Sequence, residues 1–186
     1  MEDELSSAEQ KTLLEIARQA IEKELNGDDS PLPPREERLL NFKNGCFVTL
    51  KNQQQLRGCI GNFQSSLPLF KEVEEMAVAA AFKDPRFYPL EANELKDINI
   101  EISVLSPLHK IESIEEIEVG KHGLYLEKNY SRGVLLPQVA VEYHWNRDKF
   151  LQQTCLKAGL PTQAWQNSDT DIYIFSAQIF SERDIA

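Results

Sequence analysis

At 186 residues the chain is long enough to bury roughly 70% of its unfolded surface, so a real core fits in one domain, or in one domain with a smaller lobe. Hydrophobic residues at 41% and charged residues at 27% exclude a disordered chain or a coiled coil, and a net charge of -10 argues against a nucleic-acid backbone as ligand. The acidic start "MEDELSSAEQ" lacks the parts of a secretory signal, and no apolar run approaches the ~18 residues of a membrane span. Three widely spaced cysteines, Cys46, Cys59 and Cys155, predict a reduced cytoplasmic protein.

From Ser7 to Leu25, Leu13, Leu14, Ile16, Ala17, Ala20, Ile21 and Leu25 recur at helical spacing, with Ser6 and Glu9 placed for a capping box. "NGDDSPLPP" ends that helix and predicts an exposed loop over 26–34. "GCFVTL" and "QQLRGCIG" flank the polar "KNQQ", a pattern for an antiparallel hairpin. Strict alternation in its second strand puts Leu56, Gly58 and Ile60 on one face. Arg57 and Cys59 share the other, with α-carbons about 6.6 Å apart.

A helix from Ser66, the expected N-cap, to Lys83 follows, with Leu69, Phe70, Val73, Met76, Ala77, Ala80 and Ala81 on its apolar stripe and Asp84-Pro85 at its end. "INIEISVL" alternates Ile98, Ile100, Ile102 and Val104 against Asn99, Glu101 and Ser103, a strand with one buried face. Two short strands surround a turn at Lys128–Arg132, then comes an irregular Pro-containing segment. "NRDKFLQQTCLKAG" forms a helix ended by Gly159, and "DIYIFSAQIF" a final strand. Hairpins mixed with three principal helices predict an α+β fold with a mainly antiparallel sheet.

Metal binding finds no support, because His109, His122 and His144 stand twelve or more residues apart and form no ligand pattern. Cys46 and Cys155 lie among apolar neighbours and fit inert core thiols. Cys59 lies between two glycines, which weaken a strand that only has to pack, and Arg57 is placed to stabilise a thiolate. A buried core thiol explains Cys59 as well. In "KDPRFYPL", Asp84 and Arg86 suit either a rigid corner or an anion clamp, since Arg offers a planar fork to carboxylate or phosphate. "LLPQVAVEYHW" gathers Gln138, Glu142, His144 and Trp145, which suit a pocket lining or an ordinary polar surface.

"LRGCIGNF", "AAAFKDPRFYPL", "EISVLSP", "GVLLPQVAVEYHW" and "FLQQTCLKAGL" stand in the order and approximate spacing of the AMMECR-one domain family, which the chain resembles over most of its length. The resemblance implies an α+β domain with an antiparallel sheet and a smaller lobe, its motif residues gathered around a cleft. By position, Arg57, Gly58, Cys59 and Gly61 match the signature hexapeptide. Asp84, Arg86 and Phe87 match an Asp-Pro-Arg-Phe block, and Pro137 and Gln138 a Leu-Leu-Pro-Gln block. Where the family commonly has Gly-Trp, this chain has His144 and Trp145. The resemblance also implies two protein partners, a Memo-like protein and a radical S-adenosylmethionine protein, but names no reaction and no cofactor.

Two functions fit these residues. One is an enzyme acting on a small molecule, with Cys59 as nucleophile or acid/base, Arg57 or Arg86 holding an anionic group and Glu101 or Glu142 moving protons. Gly58, Gly61, Asp84, Gln138 and Trp145 would then complete the ligand site. The other is a non-catalytic module that binds a ligand or a protein through the same residues, with Cys59 chosen for its size.

Overall fold

The computed structural model describes residues 4–185. The chain forms two compact units, one running to Leu105 and resuming at Gln178, the other spanning Ser106–Ala177. Every pair of strands described is antiparallel, and helices accompany the strands in both units, so the fold is α+β.

The first unit opens with α1, Ser7–Asn26, whose capping box has the Ser6 hydroxyl accepting from the Glu9 N–H and the Glu9 carboxylate accepting from the Ser6 N–H. Gly27 ends it at φ 65°, the left-handed geometry that glycine adopts without strain. Residues 27–34 are exposed apart from Leu32. Strands β1, Cys46–Asn52, and β2, Gln55–Asn62, form the hairpin, turning on Gln53 and Gln54, both at positive φ. β3, Ile98–Leu105, pairs with the other side of β1, giving the strand order β2-β1-β3.

Alternation along β1 and β3 sends Val48, Leu50, Ile100 and Ile102, all fully buried, against α1 and α2, Leu69–Phe82. Each such side chain contributes about 1.5–3 kcal/mol through burial. The helix begins at Leu69 rather than Ser66, because the Ser65 hydroxyl accepts from the Leu67 N–H and holds 65–67 in a turn, while the Leu69 N–H donates to the Phe42 carbonyl. Ala77, Ala80 and Ala81 are buried. The last segment returns to this unit, where Arg18 donates to both oxygens of Glu182 and to the carbonyls of Leu95 and Ile98, and Glu182 accepts from the Ile100 N–H.

In the second unit, β5, His122–Lys128, joins β6, Ser131–Leu135, through a turn with Asn129 at φ 55° and pairs on its other side with β7, Asp171–Ser181. The short β4, His109–Lys110, adds to β7. Phe150, Leu151 and Cys155 of α4, Arg147–Lys157, fill the core of this unit with Leu124 and Leu126. The stretch expected to be irregular contains α3, Pro137–Glu142, with Pro137 at the first helical position, where a missing N–H costs nothing. The chain closes with α5, Glu182–Ile185.

Candidate functional site

Cys59 lies on β2, at the end of the strand order, with only β1 beside it. Its N–H and C=O face the free edge, where unpaired groups need partners. Asp84 and Arg86 supply them. The Cys59 N–H donates to Asp84 Oδ2 at 2.9 Å, and the Cys59 carbonyl accepts from Arg86 Nη2 at 3.3 Å. The Asp-Pro-Arg turn after α2 thus takes the place that a further strand would fill.

Asp84 is the centre of that turn. Its carboxylate, 2% exposed, also accepts from the Arg86 N–H at 3.1 Å, Arg86 Nε at 2.9 Å and Arg86 Nη2 at 2.7 Å. The Arg86 guanidinium, together with the two main-chain donors, holds the Asp84 carboxyl well below the usual carboxylate range. Arg86 is 54% exposed, so one member of the pair is buried and the other offers its outer edge to solvent. Its pKa is raised by the hydrogen bonds to Asp84, with a smaller electrostatic contribution from Cys59.

The register on the other side of β2 explains what the thiol touches. Because the Cys59 main chain is directed to Asp84 and Arg86, Cys59 and Thr49 oppose each other as a non-hydrogen-bonded pair, the closer kind in an antiparallel ladder. Thr49 Oγ1 lies 3.2 Å from Cys59 Sγ and donates to it. Glu101 stands opposite Thr49 on β3, so Cys59, Thr49 and Glu101 form one row across three strands on the face away from the helices. Lys51, two residues along, donates to Glu101 at 2.7 Å.

Arg57 sits at an irregularity of the ladder. A β-bulge lets Lys51 face Leu56 while Leu50 faces Gly58, leaving Arg57 as the extra residue on β2. The same irregularity turns Leu56, expected inside, out to 43% exposure. Arg57 donates Nε and Nη2 to the two oxygens of Glu94 at 2.8 and 2.9 Å, a paired fork that raises its own pKa and lowers that of Glu94. The Phe87 ring lies 5.9 Å from the Arg57 guanidinium carbon and 5.5 Å from that of Arg86. The cation bonded to the Cys59 main chain is Arg86, and Arg57 shares the Phe87 ring with it.

Both signature glycines serve packing. A Cβ on Gly58 would lie 2.1 Å from the Ala80 carbonyl, so Gly58 lets α2 close onto β2 and faces the core rather than a ligand. A Cβ on Gly61 would meet the Cys46 carbonyl at 2.3 Å and the Phe47 ring at 2.5 Å. Cys46 and Cys155 are buried, and burial pushes both thiols up. Cys59 alone of the three is partly exposed.

The remaining expected residues belong to the second unit. Glu142 ends α3 and is exposed, Gln138 Oε1 is buried without a protein partner, and Trp145 stacks on Tyr143 with ring centroids 5.0 Å apart. His144 has φ 53°, the left-handed position past a helix end, where glycine is the unstrained residue. A depression of about 390 Å³ in the first unit, lined by Arg18, Glu22, Ala92, Asn93, Leu95 and Lys96, contains none of the expected residues. Thr49 and Glu94 are contacts that none of the sequence patterns singled out.

A family model described as AMMECR1 matches residues 14–180. The chain belongs to the AMMECR1 family. A protein of Methanothermobacter thermautotrophicus is 44% identical to this AMMECR1 chain over 186 residues, covering 96% of each, and one of Nanoarchaeum equitans is 41% identical over 91% of this chain and 98% of its own. A crystal structure of an uncharacterized protein from Pyrococcus horikoshii is similar at a TM-score of 0.82 and 40% identity, covering 93% of this chain and 91% of that one. Among the described residues, no helix of this AMMECR1 protein is long and apolar enough to cross a membrane, and no group of three or more His, Cys, Asp or Glu is placed to hold a metal ion.

Proposed function

We propose that this AMMECR1 protein is a cysteine-dependent enzyme acting on a small anionic molecule at Cys59. The observation that carries the reading is the environment of Cys59: its main chain is held by Asp84 at the N–H and by Arg86 at the carbonyl, the residue is partly exposed, and its sulfur accepts a hydrogen bond from Thr49. Immobilising a nucleophile through its backbone leaves the side chain free to react in one geometry. Arg86 is the anion-binding group, because Asp84 fixes one edge of its guanidinium while the side chain as a whole is 54% exposed beside Cys59. Glu101, in the same cross-strand row and tethered by Lys51, is the group assigned to proton transfer.

A binding module using the same surface is the second reading, favoured by the pairing of Arg57 with Glu94, which ties that cation to a neighbouring carboxylate. The Memo-like and radical S-adenosylmethionine partners are proposed on the family resemblance alone. Metabolite profiles of cells carrying Cys59→Ser, the deletion and the wild-type gene separate the two readings. An enzyme gives Cys59→Ser the profile of the deletion, with an anionic compound accumulating in both. A Cys59→Ser profile matching wild type removes catalysis and leaves the binding module.

A further inference from the structure

We propose that Thr49 is a positioning residue of the site, holding the Cys59 sulfur by an O–H···S hydrogen bond that favours the thiolate. This rests on the reading of Cys59 as the reactive group. Three observations lead to Thr49 independently of any motif. Its Oγ1 lies 3.2 Å from Cys59 Sγ. The two residues are register partners, and the capture of the Cys59 N–H by Asp84 makes theirs the close kind of antiparallel pair. The bulge at Arg57 creates that register, since without it Thr49 would oppose Gly58.

A hydroxyl donor to sulfur strengthens as the sulfur gains charge, so it stabilises thiolate over thiol. The charged groups near Thr49 and Cys59 are Lys51 on β1, Arg57 on β2, Glu101 on β3, and Asp84 and Arg86 in the turn after α2. Four of the five are held in carboxylate–cation pairs with each other, and Arg57 is paired with Glu94. The neutral donor Thr49 is in direct contact with the sulfur.

The test is the rate of alkylation of Cys59 by iodoacetamide as a function of pH, read by site-resolved mass spectrometry on the folded, full-length protein. In this reaction the thiolate sulfur forms the new S–C bond, the C–I bond breaks with iodide leaving, and the thiol proton passes to buffer. Thr49→Val keeps the branched shape that suits a strand and removes the donor, and Thr49→Ser keeps the donor. Loss of the donor slows alkylation near neutral pH about threefold to tenfold and moves the rate curve to higher pH, with the plateau rate at high pH little changed. Thr49→Ser follows the wild-type curve. Thr49→Ala is the second variant without a hydroxyl and gives the same displacement as Thr49→Val. A Thr49→Val curve superimposed on wild type overturns the assignment, and so does equal slowing in Thr49→Ser, which marks a packing effect. A wild-type Cys59 that reacts only on unfolding overturns the reading of the site itself, and Thr49 falls with it.

Discussion

Replacing Asp84 removes the acceptor that ties the turn after α2 to β2. In Asp84→Ala the Cys59 and Arg86 main-chain N–H groups lose a charged acceptor, and each such bond contributes about 1.5–3 kcal/mol. Two terms offset part of that loss: the variant no longer buries a carboxylate, and Arg86, already 54% exposed, rehydrates at little cost. The net loss is about 2–4 kcal/mol for Asp84→Ala and about 1–2 kcal/mol for Asp84→Asn, whose side-chain oxygen still accepts from N–H donors. Urea denaturation followed by circular dichroism near neutral pH reads this as a lower midpoint with an unchanged slope. Acid supplies the second half of the test. The Asp84 carboxyl is depressed in the folded protein, so the unfolded chain takes up the proton first; the stabilisation is complete above the ordinary carboxylate value of about 4 and is lost as pH falls below it. The stability gap between wild type and Asp84→Asn therefore narrows from about pH 5 toward pH 2. A loss below about 0.5 kcal/mol in Asp84→Ala, or a gap that widens in acid, refutes the reasoning.

Ala80→Leu forces a larger side chain into a core position that is 1% exposed, and the expected cost is about 1–3 kcal/mol in the same denaturation assay; an unchanged midpoint contradicts the packing. His144→Gly relieves a left-handed residue past the end of α3 and raises the melting temperature, corresponding to about 0.5–1 kcal/mol, while a lower melting temperature shows that the imidazole is itself held. Arg86→Ala weakens binding of an anionic probe such as inorganic phosphate, measured by calorimetry, and costs about 1–2 kcal/mol of stability because it leaves the buried Asp84 carboxylate with only its main-chain donors; unchanged phosphate binding removes Arg86 as the anion group.

The elements were legible wherever a period or a terminator was strong. Ser6 and Glu9 marked the start of α1, and the alternation of Ile98, Ile100 and Ile102 against Asn99, Glu101 and Ser103 marked the two faces of β3. Pro137 misled because proline signals a break in a helix interior but an opening at its first residue. At the candidate site, sequence spacing singled out Cys59, Asp84 and Arg86 but did not foresee that Asp84 and Arg86 bond the Cys59 main chain. Strict alternation put Leu56 inside, and one inserted residue on β2 altered its facing and the register, which no local pattern announces. Thr49 was hidden for the same reason, since a two-residue turn without the bulge pairs it with Gly58. Glu94 carries no motif, and only the return of the chain from 84 to 97 brings its carboxylate to Arg57. His144 adopts φ 53°, a conformation that glycine takes without strain, at the position where the resemblance implies a glycine.

The central claim is that Cys59 is a reactive thiol held in a fixed geometry, and time-resolved alkylation of the native protein near neutral pH, with each cysteine quantified separately, tests it most directly. The account predicts that Cys59 is modified first while the protein stays folded, with Cys46 and Cys155 silent until denaturant is added, because burial pushes both of those thiols up. Modification of all three cysteines together, only as the fold is lost, contradicts it.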